Sequence, residues 1–139
     1  MRTRYLLDTN VISDYSKGHP LVTPKLLSVP VKDVAVSVVT LMEIEFGLLC
    51  NPQMSQRIVS RTVELLREVE VIDYEASDAL ETARIRLHLE RQLKPAQPIG
   101  NMDLLIASTA RARGFICVTD NTAEFSRVPN LPLENWREP

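Results

Sequence analysis

The sequence predicts an α/β fold: a mostly parallel central sheet flanked by helices on both faces. Two observations predict it. Short β-branched or aliphatic runs alternate with longer segments of helical periodicity from one end of the chain to the other, and strand–helix alternation gives parallel strands covered on both sides. The composition is also that of an ordinary soluble globule, with 45% apolar and 24% charged residues in 139, which is enough to bury a core without a disulfide or metal staple.

Taken in order, Arg4–Leu7 reads as a short strand and Thr9–Ser16 as a helix, broken by Gly18 and Pro20. Val34–Val39 is a β-branched run of strand length, followed by a helix over Thr40–Cys50 that Asn51-Pro52 stops. Gln56–Arg67 carries a helical stripe of Ile58, Val59, Val63, Leu65 and Leu66, and Val69–Tyr74 reads as extended. A long helical pattern runs from Glu75 to Lys94, with Ala76, Ala79, Leu80, Ala83, Leu87 and Leu89 as its apolar face. Pro95, Pro98 and Gly100 then require a loop over Gln92–Gly100. Asn101–Arg113 is a helix with Gly114 at its end, Phe115–Thr119 a strand, and Asp120–Phe125 a turn or short helix. A last short strand near Leu131–Leu133 leads to Trp136. With no repeats, low-complexity stretches or break in composition, residues 1–139 are expected to form one domain.

Apolar runs such as Val34–Val39 are far too short to span a bilayer, and the segment from Met1 to Asp8 reaches a charge after a few apolar residues, unlike a secretion signal. Two isolated cysteines, Cys50 and Cys117, suit a reducing cytoplasm and are expected in the core. A net charge of −2 argues slightly against nucleic acid, since non-specific duplex binders are usually basic. A chain of this charge that acts on a polyanion must rely on a local basic patch and a bound cation.

In open α/β sheets the functional site lies beyond the carboxyl ends of the strands. Asp8 follows the first strand, Glu43 falls in the first turn after the second, and Asp120 follows Phe115–Thr119. Asp103 opens a helix directly after the proline loop. Each acid has a structural alternative. Asp8 suits an N-cap for the helix at Thr9, and Thr40-x-x-Glu43 a capping box. Asp103 suits the positive end of a helix, and Asp120-Asn121 is ordinary turn composition. Together, however, convergent carboxylates repel one another by about 3 kcal/mol per pair at ~5 Å and an effective dielectric of ~20. A hard divalent cation removes that penalty, and a donor set of oxygens without His or Cys selects Mg²⁺, or Mn²⁺, over Zn²⁺.

The four acid-bearing segments resemble the motif blocks of PIN domains. These are Leu6-Leu7-Asp8-Thr9-Asn10-Val11, Ser37-Val38-Val39-Thr40-Leu41-Met42-Glu43, Pro98-Ile99-Gly100-Asn101-Met102-Asp103 and Val118-Thr119-Asp120-Asn121-Thr122-Ala123-Glu124-Phe125. Their order and spacing, with an ending from Arg127 through Trp136, resemble the VapC toxins of bacterial toxin–antitoxin pairs over essentially the whole chain. The resemblance implies a Mg²⁺-dependent endoribonuclease with Asp8, Glu43, Asp103 and Asp120 as catalytic and metal-holding residues. It implies a VapB-like antitoxin and a homodimer as partners, with transfer or ribosomal RNA as substrate. Asn10, Thr40, Thr119 and Asn121 are expected to orient the acids. In many relatives the fourth block ends in Thr, a variable residue and then Asn or Asp, so the functional position is Asp120 or Asn121, and its charge favours Asp120.

Arg84, Arg86, Arg91 and Lys94 form either a solvated helix face or a phosphate-contacting patch. His19 and His88 stand outside every acid block and read as surface residues. A phosphatase of the HAD type needs a second Asp where this chain has Asn10, and a receiver domain needs a Lys after the late strand that is missing beyond Val118. The rival of another class is a binding module of the same fold, with its acids used as caps, that grips RNA or protein without cutting.

Overall fold

A computed structural model of the chain describes residues 2–92 and 99–139. Its elements run β1 (Tyr5–Leu7), α1 (Thr9–Ser16), α2 (Val22–Ser28), β2 (Val34–Ser37), α3 (Val38–Cys50), α4 (Gln56–Glu68) and β3 (Glu70–Ile72). They continue with α5 (Ala76–Gln92), α6 (Asn101–Arg113), β4 (Ile116–Val118), α7 (Thr122–Phe125) and β5 (Leu133–Glu134). The strands form one sheet in the order β3-β2-β1-β4-β5, and every pairing is parallel. The predicted fold class is therefore the one observed.

Alternation along the strands decides which helices each face buries. Leu6, Ala35 and Cys117 join a core with Ile85 and Leu89 of α5 and Ile106, Ala107 and Ala110 of α6. Leu7, Val34, Val36 and Val118 point the other way, into a core with Val11 and Ile12 of α1, Val22 and Leu26 of α2, and Leu65 of α4. Both faces are apolar because both are covered. On one of them α5 and α6 are tied by a buried ion pair, Arg113 to Asp78 at 2.7 Å. Asp78 is wholly buried, yet its carboxyl stays below the usual range, because Arg113 and the Glu75 N–H outweigh the desolvation that pushes it up.

Several boundaries differ from the sequence reading. The β-branched run does not remain a strand to Val39: the Ser37 hydroxyl accepts from the Val39 N–H at 3.0 Å and starts α3 at Val38. Ser37, rather than Thr40, is thus the cap, and Glu43 lies in the second turn of α3. Helix α2 is an addition; Pro24 sits in its first turn, where a missing N–H does no harm. Its start receives His19, whose Nδ1 accepts from the N–H groups of Leu21 and Val22 at 3.1 and 3.3 Å. The last strand is Leu133–Glu134, two residues beyond the start expected for it. Gly114 ends α6 in the left-handed conformation, φ 73°, as its position implied. Cys117 is a core residue, but Cys50 is exposed at the end of α3. Among the described residues, no helix is long and apolar enough to cross a membrane.

Candidate functional site

The chain adds β2 and β3 on one side of β1, then crosses to add β4 and β5 on the other. β1 and β4 therefore flank the topological switch point, where ligands gather in open α/β sheets. Asp8 leaves β1 with its N–H bonded to Val118 O at 2.9 Å, and Thr119 and Asp120 leave β4 directly beside it. One Asp8 oxygen caps α1 by accepting from the Thr9 N–H at 2.7 Å. The other accepts from the Thr119 hydroxyl at 2.9 Å. Capping and site placement are thus two uses of one side chain. Glu43 reaches the same place from α3, its Oε1 accepting from the Thr9 hydroxyl at 2.7 Å.

The charges of these groups act on one another. Burial pushes the Asp8 carboxyl up, and Glu43 and Asp120 push it further, against the lowering hydrogen bonds of Thr119 and Thr9. Asp103 lies in the first turn of α6, where the helix dipole favours ionisation. Nevertheless burial, followed by the charges of Asp8, Glu124 and Glu43, pushes it up to about 6. Burial first, and then repulsion from neighbouring acids, outweighs the favourable helix end. Asp120 stands at the rim. Its Oδ1 accepts from Asn10 Nδ2 at 3.2 Å, and its Oδ2 lies 2.9 Å from Arg137 Nη1.

Three contributors escaped the sequence reading as site residues. Glu124 accepts from the Gly100 N–H at 2.6 Å and from Asn121 Nδ2 at 2.7 Å, and these bonds hold its carboxyl below the usual range. Its only signal in the sequence was its place in the fourth motif block, where it was given no role. Thr9 holds Glu43, and Arg137 holds Asp120. Asn121 gives its N–H to the Thr119 hydroxyl at 3.0 Å and its amide also bonds Asp103. The adjacent residues Asp120 and Asn121 therefore serve opposite sides of the loop. Thr40 is buried one turn before Glu43, and its hydroxyl has no hydrogen-bond partner. Arg84, Arg86 and Arg91 are exposed on α5, with Arg86 paired to Glu90 at 3.2 Å. Lys94 lies outside the described residues.

Among the described residues, no three acids form a ready-made metal cage; each is held by a neighbour instead. Asp8, Glu43 and Asp103 are nevertheless close enough for their charges to act on one another, and one or two of them could serve Mg²⁺, which keeps several of its waters. The donors are oxygens throughout, as a hard cation requires.

The chain matches the PIN domain over residues 5–131 and belongs to that family. Its relatives within the family are VapC ribonucleases. It is 36% identical over 133 residues to the tRNA(fMet)-specific endonuclease VapC of Shigella flexneri, covering 96% of this chain and 98% of that protein. It is 36% identical over 134 residues to ribonuclease VapC2 of Rickettsia felis, covering 95% and 97%. The crystal structure of VapBC2 from Rickettsia felis, bound to a DNA fragment from their promoter, contains a chain that superposes with a TM-score of 0.81. That chain is 33% identical, with 96% of this chain and 99% of that one covered. The family expected from the four motif blocks is the family found.

Proposed function

We propose that this chain is a Mg²⁺-dependent endoribonuclease, the toxin of a toxin–antitoxin pair, which hydrolyses phosphodiesters in transfer or ribosomal RNA and so inhibits translation. The observation that carries the reading is the gathering of mutually repelling acids at the switch point, with Asp103 pushed up to about 6. Repulsion of this kind opposes folding, and sites that keep it are enriched in function. Asp8, Glu43, Asp103 and Asp120 hold one or two Mg²⁺ ions, which Mn²⁺ can replace. An ion held there would supply Lewis-acid polarisation of the phosphoryl group and would lower the pKa of water towards neutrality.

The rest is done by the chain's own side chains. Thr9 and Thr119 fix the two oxygens of Asp8, Thr9 also fixes Glu43, and Asn121 bridges Asp103 to Glu124. His19 caps α2 and His88 lies on α5, so attack by the RNA 2′-hydroxyl through a histidine pair has no support. Products then carry a 5′-phosphate and a 3′-hydroxyl. Arg84, Arg86 and Arg91 contact RNA phosphates without reading bases.

A VapB-like antitoxin is the silencing partner, as the relatives described as VapBC complexes support. A groove of about 150 Å³ between α1, α3 and α4, lined by Ile12, Ile44, Leu48 and Ile58, opens beside Thr9 and Glu43. An amphipathic segment seated there would carry an Arg or Lys to the acids. The exposed Met42, Phe46 and Leu49 on α3 support a homodimer. The whole chain acts as one domain in the cytoplasm. Brief induction without an antitoxin should arrest growth and create new 5′-phosphate ends at discrete positions in one class of cellular RNA, while Asp8→Asn does neither. An inert parent chain would favour the binding-module reading.

A further inference from the structure

The tail beyond β5 brings a cation against the acid cluster. Trp136 is buried against Tyr5, with ring centroids 5.6 Å apart, and anchors the segment. The next residue, Arg137, reaches two carboxylates. Its Nε and Nη2 donate to Asp14 at 2.7 and 2.8 Å, a bidentate pair, whereas Nη1 alone meets Asp120 Oδ2 at 2.9 Å. Asn10 and Asp14 lie one turn apart on α1, so helix, β4 loop and tail close into one polar ring. The contacts are unequal: Asp14 can keep the guanidinium if Asp120 leaves it. The Asp120 pair is also half-open to solvent, with side chains 44% and 22% exposed, and a pair of that kind exchanges readily. Asp120 is close enough to the centre for its charge to push up the Asp8 carboxyl.

We propose that Arg137 is a positioning residue, an internal counter-cation that competes with the bound divalent ion for Asp120 and thereby sets how tightly the ion is held. This rests on the reading of Asp8, Glu43 and Asp103 as the metal-holding acids. A carboxylate oxygen engaged by a guanidinium gives less of its charge to an ion, and the positive charge at the rim opposes the ion's approach. Fixed by Asp14, the guanidinium stays at the rim whichever partner Asp120 takes.

The test is Mn²⁺ binding to the purified full chain, read from the electron paramagnetic resonance of free Mn²⁺, with melting temperatures as the folding control. Arg137→Gln, and Arg137→Met with its retained hydrocarbon stem, should each bind Mn²⁺ about two- to fivefold more tightly than the parent, the scale of a half-exposed ion pair. Combined with Asp120→Asn, either substitution should give less than half of that gain. A purely structural clamp predicts equal or weaker binding, and that result overturns the proposal. So does a full gain that persists beside Asp120→Asn, which would assign the effect to diffuse charge. Should Asp8→Asn bind Mn²⁺ as the parent does, the metal reading falls first and this proposal with it.

Discussion

Asp103→Asn should make the folded protein more stable near neutral pH and should abolish its function. The carboxyl titrates at about 6 in the folded chain, against about 4 when unfolded. Each tenfold change in proton affinity is worth about 1.4 kcal/mol, and the side chain is partly exposed, so its charge opposes folding by about 1–2 kcal/mol. An acid whose folded pKa is raised binds more protons folded than unfolded between these two values, so stability falls as pH rises from about 4 to 6. The penalty is full above that window and absent below it. In a protein of this size the amide should raise Tm by about 3–6 °C at pH 7.5. At pH 3, below both values, where the parent carboxyl is largely protonated folded and unfolded, the difference should nearly vanish. Millimolar Mg²⁺ should raise the Tm of the parent and do less for the variant, since binding to the folded state alone is stabilising. Thermal melts by circular dichroism at both pH values, with and without Mg²⁺, are sufficient. A variant that melts below the parent at pH 7.5, or whose shift is equal at the two pH values, would refute the electrostatic reasoning.

Asp8→Asn retains a good N-cap for α1, so it should keep the parent's circular dichroism while lowering single-turnover RNA cleavage by orders of magnitude. Thr9→Val removes the hydroxyl that holds Glu43; cleavage should fall by about 10–100-fold, the usual effect of losing a ligand's supporting partner, with little change in urea unfolding. Arg113→Ala leaves Asp78 buried without its cation. It should cost about 3–5 kcal/mol in urea melts and leave the cleavage rate of the folded fraction unchanged, which separates structural from functional ion pairs in this chain.

The sheet was legible because its physics is local. Strand runs at Tyr5–Leu7 and Ile116–Val118 are short and apolar, and Asp8, directly after the first, and Asp120, two residues after the second, are placed by the rule that sites lie beyond strand carboxyl ends. Asp103 was legible for a similar reason, standing just past a helix start. The Val38-Val39 pair was misread because β-branched residues favour strands, and the Ser37 cap overrides that preference. Helix α2 was hidden by its proline, which reads as a breaker unless its place in the first turn is known. Arg137 was not legible at all: its partner Asp14 lies 123 positions away, and only the closed sheet brings the tail back over α1. Thr9 read only as a helix start and Glu124 only as part of the fourth motif block, and neither gave a hint of the carboxylates they face.

The most direct test of the central claim is cleavage of RNA by the purified chain with Mg²⁺ and with excess EDTA, followed by chemical identification of the new ends. Hydrolysis by a carboxylate-held metal predicts cutting only with the metal, leaving 5′-phosphate and 3′-hydroxyl ends. Cutting that persists in EDTA, or that leaves 2′,3′-cyclic phosphates, would contradict it.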